Sequence, residues 1–84
     1  MAAIEQYARE LDHAANRGRA EQNKLEGLQR QLGEFMLLNK DVPGLDLSAY
    51  YDQANDIRSE IAHWRGKVDE LKAKLIRAIE AVSV

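Results

Sequence analysis

Apolar residues recur through the second half of the chain in alternating steps of three and four: Leu47, Tyr50, Ala54, Ile57, Ile61, Trp64, Val68, Leu71, Leu75, Ala78 and Val82. A register held this long without a skip predicts a helix with a coiled-coil seam rather than a helix lying on a broad globular core. The first half follows the same rule through Ile4, Tyr7, Leu11, Ala14, Gly18, Glu21, Leu25, Leu28, Leu32 and Phe35. Gly18 and Glu21 weaken that seam in its middle, the glycine alone by about 1 kcal/mol of helix propensity. No proline accompanies them, so the expectation is one continuous helix, with Asn16 to Gly18 the place where a kink would fall.

Proline and glycine meet once, in Val42-Pro43-Gly44-Leu45, where Pro at the second and Gly at the third position suit a type II turn. Before it, Asn39 suits a left-handed C-cap and Lys40 places a cation at the helix end. After it, Asp46 or Ser48 can cap the second helix. Asp52, Asp56 and Glu60 lie in the N-terminal half of that helix and Arg65, Lys67, Lys72, Lys74 and Arg77 in its C-terminal half, the polarity the helix dipole favours. The predicted fold is all-α, an antiparallel two-helix hairpin: one domain over 1–84, with helices at about 3–38 and 48–82 and a turn at about 39–47.

So short a turn makes the helices antiparallel. Pairing residues whose numbers total 82 sets large side chains against small ones: Gly18 beside Trp64, Leu28 beside Ala54, Ile4 beside Ala78, Leu11 beside Leu71, Leu32 beside Tyr50 and Phe35 beside Leu47. In this register the indole of Trp64 is expected to occupy the space over Gly18. A register one layer away, with totals of 89, puts Glu21 beside Val68 and is less complementary.

Size then constrains function. A chain of 84 residues buries only roughly 60% of its unfolded surface, and without cysteine it has neither disulfides nor thiolate metal ligands. Such a hairpin is expected to need another chain to complete its core, as a homodimer, a higher oligomer or a complex with a different protein. Apolar residues outside the seam point the same way: Met36, Leu37, Leu38 and Tyr51 near the turn, and Ile76 and Ile79 near the C-terminus. The stripe Asp52, Asp56, Glu60 places three carboxylates on one helix face with no cation four residues away, a candidate docking stripe for a basic partner. These nine residues are the candidate partner-binding set.

Catalytic chemistry finds little support. Ser48, Ser59 and Ser83 have no nearby histidine, and His13 and His63, about 9 Å apart along the axis, are expected to be solvated and not to share a metal. No cofactor, metal or small-molecule substrate is therefore expected. A net charge of −2 argues against nucleic acid, and no apolar run approaches the ~20 residues of a membrane span. Without a basic, apolar N-terminal leader the expected compartment is cytoplasmic.

Trp64-Arg65-Gly66 resembles the tripeptide of the small secreted WXG proteins, also helical hairpins, but there it forms the turn whereas here it falls inside the second helix. In length and in its helix, proline-containing turn, helix order the chain is similar to type III secretion needle subunits, which carry paired prolines where this chain has Pro43 alone. The expected function is that of a small non-enzymatic protein-interaction module (chaperone, adaptor, inhibitor or assembly subunit), with a structural subunit of a filament or secretion-type assembly as the alternative.

Overall fold

The computed structural model describes residues 2–83, with side chains placed for 3–82. Two long helices, α1 (Ala2–Leu38) and α2 (Ser48–Ser83), pack against each other as an all-α antiparallel hairpin. The molecule is a rod of 67 × 15 × 13 Å with a radius of gyration of 19.3 Å, against about 12 Å for a compact domain of this length. Two helices share a single seam, which is why so little of the hairpin is buried.

The seam follows the predicted positions. Ala14, Leu25, Ala54, Ile61 and Leu71 are buried, with Leu28, Tyr50 and Ile57 packed around the centre. Two predicted seam residues fail to bury: Phe35 is 44% and Val82 50% exposed. At the open end the register carries Val82 beyond Ala2, to a position outside the described residues. At the turn end Phe35 and Leu47 border one groove of about 270 Å³ instead of closing on each other, because the helices end there and no further layer covers them.

α1 runs through Gly18 without a break. Its C-terminus corrects one expectation: Asn39 does not take a left-handed conformation, since no residue other than Gly44 has a positive φ among the described residues. Instead its side-chain amide donates to the Phe35 carbonyl at 2.8 Å, and its backbone N–H reaches the same carbonyl at 3.1 Å. The loop then tightens through the Val42 N–H to the Asn39 carbonyl at 3.0 Å. Gly44 has φ 67°, the left-handed region that the third residue of a type II turn occupies.

Of the two capping candidates, Asp46 supplies the acceptor. Its Oδ1 takes the Ser48 N–H at 3.0 Å and the Ser48 hydroxyl at 2.7 Å, satisfying one of the amides that the first turn of α2 leaves without a helical partner. The backbone bond from Ser48, then its hydroxyl, hold the Asp46 carboxyl below its ordinary pKa.

Candidate functional site

Two helices leave two open sides, and the seam register assigns residues to each. On one side run Ala8, Ala15, Gln22, Gln29 and Met36 of α1, facing Tyr51, Arg58, Arg65, Lys72 and Ile79 of α2. A groove of about 420 Å³ opens here, lined by Ala15, Gly18, Gln22, Ile61, Arg65 and Val68. It passes into a second groove of about 570 Å³ through their shared Gln22, Ile61, Arg65 and Asp69. Small residues explain the depth: Ala15 and Gly18 on α1, and Ala62 and Gly66 on α2, leave seam side chains visible at the floor.

The other side centres on Trp64. Its indole meets the His13 ring edge-on at 5.8 Å and the His63 ring at 4.9 Å, with the Arg17 guanidinium 5.5 Å from its centroid. Both histidines are exposed, as expected, yet they are not merely solvated, because they converge on one ring that bridges their axial offset. Trp64 Nε1 is shielded from solvent and has no hydrogen-bond acceptor among the described residues. The adjoining groove, about 480 Å³, has Ala14 and Leu71 at its base and Arg9, Glu10, Lys67, Glu70 and Lys74 around it. Glu70 accepts from Lys74 at 3.1 Å and lies 3.9 Å from Lys67. The Lys74 bond and charge, with the charge of Lys67 added, lower the Glu70 pKa, and the bond to Glu70 and its charge raise that of Lys74. Part of the basic C-terminal stretch is thus neutralised within its own helix.

The expected place of the indole is corrected by the same geometry. A Cβ built on Gly18 would lie 3.5 Å from Trp64 Cβ, an ordinary van der Waals contact, and the indole itself lies toward His13 and Arg17. The pairing of Gly18 with Trp64 holds, but the stem of Trp64 covers the glycine and the ring turns aside to the flank.

The apolar candidates sit at the two ends of the rod. Met36, Leu37 and Leu38 are 46%, 68% and 84% exposed and lie with Val42 and Tyr51 at the turn end; Ile76 and Ile79 are exposed near the other. Asp52, Asp56 and Glu60 are exposed, and none makes an ion pair among the described residues. Successive steps of four rotate them around α2, away from the Tyr51 row, so the acidic stripe and the apolar ends do not form one surface. Sequence reasoning did not anticipate that Glu21 would be buried, 5% exposed, with its carboxylate 3.0 Å from Lys24 Nζ. Its seam position was the available signal.

Among the described residues no helix is long and apolar enough to cross a membrane, and no three His, Cys, Asp or Glu side chains group as a metal site. Comparison with protein-family models, curated proteins and solved structures found no match.

Proposed function

We propose that this protein is a non-enzymatic packing module that engages another protein chain through exposed helix faces, as a chaperone, adaptor, inhibitor or assembly subunit does. The observation that carries this reading is the turn end, where Met36, Leu37, Leu38, Val42 and Tyr51 expose apolar surface together on a rod with little core of its own. Contiguous exposed apolar groups mark interaction sites, and burial against a partner gains about 25 cal/mol per Å² of apolar surface. The rod form adds reach: it offers long helix faces on a frame that presents its tip away from the chain ends.

Affinity purification with the tagged wild type and a Leu37→Ser/Leu38→Ser variant tests the proposal. The expected result is a stoichiometric protein partner retained by the wild type and lost by the variant while helicity is unchanged. Equal recovery with both proteins would remove the tip from the interaction. The filament reading draws on one observation, the apolar residues at both ends of the rod, which suits head-to-tail stacking. Electron microscopy of concentrated protein separates the two, since stacking yields filaments and a closed complex yields discrete particles.

A further inference from the structure

We propose that the face carrying the Ala15 and Arg65 groove packs against a second copy of this chain, with α2 of each copy lying along α1 of the other and both turns at the same end. The proposal deepens the packing reading above and rests on it. The accessible surface supplies its scale. At 6325 Å², the hairpin exposes about 1,300 Å² more than a compact folded chain of 9.5 kDa, for which about 5,000 Å² is expected. A stable dimer buries about 800 Å² on each partner, so one lateral face of this rod provides what is needed.

The distribution of residues selects the face. Along α1 its inner row, Ala8, Ala15, Gln22, Gln29 and Met36, carries no charge, and the groove floor is made of apolar seam side chains. The opposite face is bordered by Glu10, Arg17, Lys24, Glu60, Lys67 and Lys74, whose burial would cost more desolvation. Exposed apolar residues stand at both ends of the chosen face, Met36 and Tyr51 near the turn and Ile76 near the open end. Residues at both ends of a single lateral face favour side-by-side closure over propagation from the tips.

Charge fixes the arrangement of the copies. The row on α2 is basic at Arg58, Arg65 and Lys72, while the matching flank of α1 carries Asp12 and Glu26 with Arg19 between them. With the symmetry axis parallel to the rods, α2 lies on the α1 of the other copy. Arg58 then falls about 3 Å in axial rise from Glu26 of the partner subunit and Lys72 about 3 Å from Asp12 of the partner subunit, two attractive contacts that flank one repulsive contact, Arg65 with Arg19 of the partner subunit. Tyr51 comes within about 8 Å in rise of Met36 of the partner subunit. With the rods opposed, α2 would lie on α2 and the Arg58 and Arg65 side chains would meet like charges, which disfavours that alternative. The favoured arrangement makes a four-helix bundle in which neighbouring helices are antiparallel.

Sedimentation equilibrium on the full chain, with circular dichroism of the same samples, tests this with two charge-reversed variants, Arg58→Glu/Lys72→Glu and Asp12→Lys/Glu26→Lys. The wild type is expected to be a dimer at tens of micromolar. Each variant alone is expected to dimerise at least about tenfold more weakly, since four ion pairs become repulsive contacts, and an equimolar mixture should recover wild-type affinity within about threefold. Recovery on mixing also shows that both variants can still fold. Variants that self-associate as well as the wild type, or a mixture that fails to recover, would overturn the proposed face. A wild-type monomer that is incompletely helical alone would overturn the second copy and leave a different protein as partner. A fully helical, stable wild-type monomer would overturn both this proposal and the packing reading beneath it.

Discussion

Gly18 and Glu21 mark the weak middle of α1, and the two have different physical origins. At Gly18 a methyl group would meet Trp64 Cβ at 3.5 Å, a contact that requires no displacement. Gly18→Ala should therefore realise its helix-propensity gain and stabilise the hairpin by up to about 1 kcal/mol. Gly18→Leu, larger than the gap beside the tryptophan stem, should cost about 1 to 3 kcal/mol. Thermal melts of the two variants at equal concentration check both signs, and destabilisation by alanine would mean that the ring, not the stem, covers the glycine. Glu21 is buried within a seam that is otherwise apolar, and its ion-pair partner Lys24 is largely exposed and can return to water. Glu21→Leu is accordingly expected to raise stability by about 1 kcal/mol, within the range seen when buried charges give way to hydrophobes of similar volume. A loss on denaturant titration would show that the carboxylate contributes more to the fold than its desolvation costs.

At the turn the end of α1 and the start of α2 are held by side-chain bonds from Asn39 and Asp46, and the loop is where pH acts on them. Asp46 has its pKa lowered by the backbone and hydroxyl bonds from Ser48, so its contribution to folding is fully present above the ordinary carboxylate value. That contribution is lost as pH falls through the depressed folded value, because protonation removes the acceptor charge. The wild type should lose melting temperature on acidification below pH 4 more steeply than Asp46→Ala, with the two curves converging at the acid end. Parallel curves would show that the cap adds nothing to stability. Gly44, at φ 67°, is the one place among the described residues where a side chain meets backbone strain, and Gly44→Ala should cost about 1 to 2 kcal/mol although open space surrounds it.

As a whole the protein is a rod with an apolar tip, and its stability should depend on what covers its sides. Leu37 and Leu38 project where α1 has no partner helix, at 68% and 84% exposure, so changing both to serine should alter the melting temperature of the isolated protein little, by less than about 0.5 kcal/mol in stability. Loss of partner binding by the same variant is the expected functional outcome, and the pair of measurements separates an interaction surface from a structural one. A melting temperature that rises with protein concentration is expected of a chain whose folding is completed by a second copy.

Much of this architecture could be read from spacing. The unbroken three-and-four alternation from Leu47 to Ala78 dictates a seam, because an α-helix brings every third and fourth residue to one face. The lone Pro43-Gly44 pair dictates where the chain reverses, and alternating side-chain size located the register that sets Gly18 against Trp64. The apolar surplus at Met36, Leu37 and Leu38 was likewise visible, since residues outside a seam have no cover in a two-helix fold. Other features depend on how the helices meet in space. The opening of the seam at Phe35 follows from where the two helices end at the turn. The turn of the indole toward His13, Arg17 and His63 is a rotamer choice made on the flank, which spacing along one helix does not encode. The two open sides became distinct only once α1 and α2 were packed antiparallel, because that packing assembles the Ala15 row and the Arg65 row into one groove from residues fifty positions apart in the chain.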